Sequence, residues 1–397
     1  MKVPKLRFKD FSDDWTKNTI QFFINNKFII SHLDGNHGAL YPKNHEFSAT
    51  GVPYITANDF VTGNVDFRKC KFLPEVKAKK FKKGIAIDGD VLFAHNATVG
   101  PCAILRTDLS FVVLSTSATY FRCDLKKINN YFLLYSFQSD FFVSQYRSIM
   151  SQTTRNQVPI TSQRKLLVAL PSLPEQTKIA NFLTAIDEKI TQFTQKCDLL
   201  AQYKKGVMQQ IFSQKLRFKD DDGREFPEWE ETALGDIAHI KTGSKDLIDK
   251  EDEGIYPFFV RAQKIERINS YSYDGEAILI PGDGVNVGKV YHYVNGRFDY
   301  HQRVYKISDY KNAEAKYIFF YMNQYFDKHA MSFNSKASVD SLRLPIIQKF
   351  KIQLPTKLEQ TKIANFLTAI DDKITQAQTQ LEAVKHYKKG LLQQLFV

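Results

Sequence analysis

Apolar residues recur at steps of three and four through two long stretches. The first comprises Ile179, Phe182, Ile186, Ile190, Phe193, Cys197, Leu200, Tyr203, Val207 and Ile211; the second comprises Ile363, Phe366, Ile370, Ile374, Ala377, Leu381, Val384, Tyr387, Leu391 and Leu395. This period lays one apolar stripe along each of two helices and has the form of a coiled-coil seam. Pro171, Pro174 and Pro355 punctuate the starts, and Glu175 or Glu359 suits the positive end of a helix dipole. About 38 residues at 1.5 Å each make a rod of roughly 55 Å, whose stripe has nowhere to hide except against a similar one. The two helices are therefore expected to pair, with Ile179, Phe182, Ile186 and Ile190 meeting Ile363, Phe366, Ile370 and Ile374. A near-twofold arrangement, which treats both preceding bodies alike, makes the pairing antiparallel. The alternative is a stripe packed on its own body.

The stretches ahead of the helices, 16–174 and 230–358, carry aromatic and β-branched residues in short runs broken by Gly, Pro and Asn, as in GVPYITANDFVTGNV and GIYPFFV. Such runs predict strands. Helices are predicted late in each body, around Tyr131–Ile149 and Ala315–Ala330. The expected class is α+β: two strand-rich domains separated by two long helices that pair as an antiparallel coiled coil with pseudo-twofold symmetry.

An internal repeat underlies this order. EQTKIANFLTAID occurs at 175–187 and again at 359–371, YKKG follows at 203–206 and 387–390, and KLRFKDFSDDW at 5–15 is echoed by KLRFKDDDGREFPEW at 215–229. The bodies between these frames share almost no identity. The expected domains are 1–174, a central helix 175–214, 215–358 and a distal helix 359–397. Identical helices with divergent bodies imply a shared partner for the helices and different tasks for the bodies.

At 397 residues, with 43% hydrophobic and 25% charged, the chain has material for two to four folding units of roughly 100–200 residues and no composition of a disordered protein. Its start, MKVPKLRFKDFSDDW, carries charges where a signal peptide needs an apolar stretch, and no window approaches the roughly 18 apolar residues of a membrane span. A cytoplasmic protein with no membrane partner is expected. Cys70, Cys102, Cys123 and Cys197 lack CxxC spacing, which argues against a disulfide framework or cysteine zinc site. The net charge of +12 points to an anionic partner. Residues 1–174 carry 23 basic and 13 acidic residues, net +10, whereas 215–358 carry 22 of each.

Catalytic signatures fail on physical grounds. In IPGDGVNVGKV at 280–290 no Gly stands five residues before Gly288, and Val290 occupies the place of a magnesium-binding hydroxyl, so a Walker loop is not formed. Asp187-Glu188-Lys189 and Asp371-Asp372-Lys373 imitate half of a nuclease triad, but they lie on the helical rod and read as solvated charges. HExxH, GxSxG and an Asn/Asp-Pro-Pro-aromatic run are absent, so neither catalytic nor metal-ligating residues are assigned.

Polar loops carry the positive evidence. FAHNATVG at 93–100 and IPGDGVNVGKV each follow an apolar strand and end in Val-Gly, as if one strand-loop-strand were present in both bodies. Asn96, Thr98, Asp283, Asn286 and Lys289 are candidates for base or phosphate contacts. A second strip precedes each helix: Gln152, Thr153, Arg155, Asn156 and Gln157 in one, Asn334, Lys336 and Ser338 in the other. Lys79, Lys80, Lys82 and Lys83, with Lys77, form a run suited to phosphates. Bland alternatives are a polar hairpin tip, a solvated linker and ordinary surface lysines.

On these residues the chain resembles the specificity subunit of type I restriction-modification enzymes. The likeness covers body, helix, body and helix, with Leu170-Pro-Ser-Leu-Pro-Glu-Gln-x-Lys-Ile-Ala180 and its counterpart Leu354–Ala364. It implies two target recognition domains, each reading half of a bipartite, asymmetric site in double-stranded DNA, and paired helices acting as a ruler. It also implies two methylation subunits docked on the repeated regions and two motor-nuclease subunits in the full complex. S-adenosylmethionine, ATP and magnesium would serve those partners, leaving this chain without a cofactor. A competing expectation is a coiled-coil scaffold whose two modules bind proteins or glycans. A self-sufficient nuclease or methyltransferase is disfavoured by the failed motifs.

Overall fold

The computed structural model describes residues 4–151, 156–284, 287–333 and 341–397. The chain forms two compact units, 1–194 with 379–397, and 195–378, so each long helix contributes half its length to each unit. The helices run Leu173–Phe212 and Lys357–Leu395, within two residues of the repeat-based expectation at each end.

The first unit has a four-stranded sheet ordered Ile29–Asp34, Ala118–Cys123, Val91–Asn96, Thr98–Ile104, all neighbours antiparallel. A second sheet orders Lys71–Leu73, Val52–Ile55, Val112–Leu114 and Ile85–Ala86, with one parallel pairing between Val52–Ile55 and Val112–Leu114. In the second unit the sheet begins in the same order, His239–Thr242, Val304–Ser308, Tyr273–Pro281, His292–Tyr300, and continues into Tyr256–Phe259 and Glu266–Ile268. The likeness hidden in the sequences is therefore carried by the backbone. Two glycines mark it: a Cβ on Gly35 would stand 2.2 Å from the Leu114 and Ser115 carbonyls, and one on Gly243 would stand 1.9 Å from the Tyr300 carbonyl. Each lets the chain leaving the edge strand pass against the turn before the neighbouring strand.

Helices stack on these sheets. Asn130–Gln138 and Asp140–Met150 replace the single predicted stretch because Ser139 ends one helix and caps the next, accepting the Phe142 N–H at 3.3 Å. In the second unit one helix, Ala315–Ser332, runs unbroken and buries Tyr317, Ile318, Met322 and Phe326.

In both units the repeated segments form one latch. Arg7 donates from Nε and Nη2 to the Glu175 carboxylate at 2.8 Å each, and Trp15 Nε1 reaches the same group at 3.4 Å. Arg217 and Trp229 hold Glu359 in the same way, at 2.9 and 3.1 Å. Both carboxylates are almost fully buried, so each stands on the paired guanidinium for its solvation. The next residue continues the pattern: Gln176 accepts the Asn129 N–H at 2.9 Å, and Gln360 accepts that of Glu314 at 2.8 Å. Phe8 meets Phe182 edge-on at 5.9 Å and Phe218 meets Phe366 at 5.6 Å. Phe182 and Phe366 thus serve the entering segment as well as the helix stripe, a division that 3.6-residue periodicity cannot reveal.

The end of the other helix completes each latch. Phe396 packs 5.3 Å from Phe132 and 6.5 Å from Trp15 in the first unit, and Phe212 packs 5.8 Å from Tyr317, itself 6.1 Å from Trp229, in the second. The start of one helix and the end of the other therefore run antiparallel within each unit. Ile179, Ile186, Ile190, Ile363 and Ile370 are buried there, each worth roughly 1.5–3 kcal/mol, but Ile363 and Ile370 share their cluster with body residues such as Phe350 and Tyr317. Ile374 is partly buried against that cluster, whereas Tyr203 and Tyr387, assigned to the stripe, are more than half exposed. The stripe serves its own body and the opposing helix together. Asp187 and Asp371, expected to be solvated, are instead interhelical partners: Asp187 accepts from Lys388 at 2.7 Å and from the Tyr135 hydroxyl at 2.8 Å, and Asp371 pairs with Lys204 at 2.6 Å.

Candidate nucleic-acid interface

The two kinds of polar segment singled out in the sequence meet in space. In the first unit, strands Val91–Asn96 and Thr98–Ile104 turn through Ala97, which adopts φ 63°. The Ala97 N–H donates to the Asn156 carbonyl at 2.9 Å, the Val158 N–H donates to that of His95 at 2.8 Å, and Asn96 bridges Gln157. The hairpin tip and the strip before the helix form one surface. A third segment underlies it, because the His95 N–H donates to the Ser117 carbonyl at 2.9 Å.

The second unit repeats two of these main-chain bonds and the bridge. The Gly282 N–H donates to the Arg303 carbonyl at 2.7 Å, the Leu342 N–H donates to that of Gly282 at 2.7 Å, and Asp283 bridges Ser341. His95 thus matches Gly282, Asn96 matches Asp283, Gln157 matches Ser341, Val158 matches Leu342, and Ser117 matches Arg303. Hydrogen bonds between main-chain groups make the equivalence independent of side chains, which is how such different sequences can share it.

The side chains set the two junctions apart. In the first, Thr98 and Asn156 are exposed and Asn96 and Gln157 half-buried, so it presents amides and a hydroxyl. Below it, Gln163 accepts from Thr119 at 3.0 Å, lies 3.1 Å from His32 Nε2 and donates to the Val158 carbonyl at 2.9 Å, tying the strip to the sheet. Burial pushes the His32 imidazole down to about 3, against the opposing hydrogen bond with Gln163. In the second junction the Asp283 carboxylate accepts Arg261 Nη1 at 3.0 Å and Arg303 Nη1 at 2.5 Å. Burial raises this carboxyl, but the two guanidinium hydrogen bonds outweigh it and hold the group below the usual carboxylate range. Lys289 is exposed.

Of the other candidates, Lys80, Lys82 and Lys83 are exposed beside a shallow groove lined by Asn36, His37 and Phe81. Lys79 pairs with Glu75 at 2.5 Å. Gln152, Thr153, Arg155, Asn286, Asn334, Lys336 and Ser338 lie outside the described residues. Sequence reasoning missed Ser117, Arg261 and Arg303, because nothing in STS or HQR marks those turns as neighbours of the hairpin. The acidic run 220–231 also finds partners: Asp221 with Lys362 at 2.7 Å, Glu225 with Lys219 at 2.9 Å and Glu231 with Lys351 at 3.5 Å. No helix among the described residues is long and apolar enough to cross a membrane.

Two similar bodies, each latched at the start of a repeated helix and each offering a differently furnished junction, define a duplicated recognition protein. The model of the type I restriction modification DNA specificity domain matches residues 16–200 and 227–386, and the chain belongs to that family. It is 26% identical over 373 residues to a putative type I restriction enzyme MjaX specificity subunit of Methanocaldococcus jannaschii, covering 86% of this chain and 85% of the relative. A shorter match, 27% over 167 residues, 42% of this chain and 36% of the relative, is to the type I restriction enzyme EcoDI specificity subunit of Escherichia coli. In fold it is similar to the crystal structure of the type I restriction-modification system S subunit from M. genitalium, with a TM-score of 0.66 at 17% identity over 100% of this chain and 99% of the other.

Proposed function

We propose that this chain is the address-reading, non-catalytic subunit of a type I restriction-modification complex. Each unit reads one half of a bipartite, asymmetric site in double-stranded DNA through its junction. The helices set the distance between the half-sites and dock two methylation subunits, with two motor-nuclease subunits joining the restricting complex in the cytoplasm. S-adenosylmethionine, ATP and magnesium belong to those partners. The observation that supports this reading is one main-chain junction built twice on dissimilar sequence and furnished with different side chains, which is what two sensors for different base sequences require. Surface lysines at 80, 82 and 83 would add sequence-independent phosphate contacts.

The test is a genome-wide map of methylated adenines in cells with and without this gene. A bipartite motif that vanishes with the gene and returns on complementation is the expected result. An unchanged map in cells whose methylation subunit is active would refute the reading.

A further inference from the structure

Resting on the DNA-reading function above, we infer that Arg303, held on Asp283, is a specificity-determining residue of the second unit and recognises a guanine through its major-groove edge. Arg303 lies in the His301–Gln302–Arg303 turn that underlies the hairpin, where the first unit has Ser117. That turn is fixed from several sides. The Arg303 N–H donates to His301 Nδ1 at 2.9 Å, the buried His301 ring lies 3.5 Å from Asp246, the Gln302 N–H donates to the Lys245 carbonyl at 2.7 Å, and the Gln302 amide reaches Asp246. The side chain is 62% exposed, yet one end of its guanidinium is anchored.

Guanine offers O6 and N7 as adjacent acceptors, and a guanidinium meets both only when its plane is set. Anchoring Nη1 on Asp283 limits the rotation of that plane, and the side chain, 62% exposed, keeps surface free for a ligand. Phosphate capture would favour a different arrangement, since a carboxylate between two arginines subtracts charge where the phosphate would sit. The Asp283 carboxylate thus trades attraction for direction. Arg261, on the other carboxylate oxygen, keeps Asp283 ionised and aimed. The first junction, furnished with Asn96, Gln157 and Thr98, presents no such fork among its described residues.

The experiment uses the full chain assembled with its methylation subunits and duplexes carrying the methylated motif, with 7-deazaguanine placed at each guanine in turn. For the wild type, one position in one half-site should lose roughly 5- to 10-fold in affinity, the lower end of the range of a bidentate contact, because O6 remains. Arg303→Ala, which has no donor for N7, should remove that sensitivity at the same position while leaving the other half-site unchanged. Asp283→Asn should reduce discrimination there without weakening binding to unrelated DNA, which a merely folding defect would also lower. Insensitivity of the wild type to 7-deazaguanine throughout the half-site that Arg303→Ala affects would overturn the inference. So would a uniform loss across sequences with a shallower salt dependence, the signature of a phosphate contact. Both outcomes leave the DNA-reading function standing, whereas a wild-type complex with no sequence preference would remove that function and the inference together.

Discussion

At the scale of single residues, hydrogen bonds of the buried Gln163 tie the first junction to the sheet. His32 stacks on Phe121 at 4.1 Å, and its Nε2 lies 3.1 Å from the Gln163 carbonyl oxygen, with Arg164 and His95 nearby as the charged or titratable neighbours. The ring stays neutral in the folded protein down to about 3, whereas an unfolded histidine protonates near 6.5. Between those limits the unfolded chain binds more protons, so this contribution to stability is whole above about pH 6.5 and falls with acidification, by at most ~1.4 kcal/mol per pH unit. Urea unfolding should show a lower midpoint at pH 5 than at pH 7, and His32→Gln should flatten that slope. An equal slope in the variant would place the acid sensitivity elsewhere, His95 and His37 also being held low by burial.

At the scale of elements, the long helices are specified by stripe, cap and charge together. The apolar period made both helices legible, and the Pro-rich starts located them to within two residues. Periodicity did not show which side of the stripe meets a body and which meets the other helix, because both partners accept the same side chains. The ion pairs resolve that choice: Lys388 is 14% and Asp187 20% exposed, both hydrogen-bonded across the helix pair. Asp187→Lys should destabilise the first unit by about 1–3 kcal/mol, and Lys388→Glu added to it should recover most of the loss. Thermal unfolding of the two singles and the double variant measures this; additive losses would show that the pair contributes nothing as a pair. Within the bodies, the strand-rich character was evident from composition, but the equivalence of the two sheets was not. It is carried by main-chain hydrogen bonds and by the close passes at Gly35 and Gly243, which leave almost no trace in side-chain identity.

At the scale of the whole molecule, the proposed function makes helix length the determinant of spacing. Adding one heptad to each helix at matched positions, roughly 10 Å, should lengthen the unspecified gap of the methylated motif by about three base pairs and leave both half-sites as they were. Methylome sequencing of the lengthened variant checks this. Altered half-sites with an unaltered gap would mean that the helices serve the bodies and not the distance between them. The net charge of +12 fits a DNA partner, but charge alone does not point to the near-neutral 215–358 segment, to which the proposed function gives a half-site.

The sequence by itself determined the tandem order, the helices and their identity, the α+β class and the family, because each rests on period or repetition along the chain. Tertiary structure decided the rest. It brought the hairpin at 95–97 to the strip at 156–158 and the hairpin at 282–283 to 341–342, and it paired Asp283 with Arg261 and Arg303. These contacts join residues about 20 to 60 positions apart through main-chain bonds and charge pairing, and neither leaves a periodic mark for a linear reading to find.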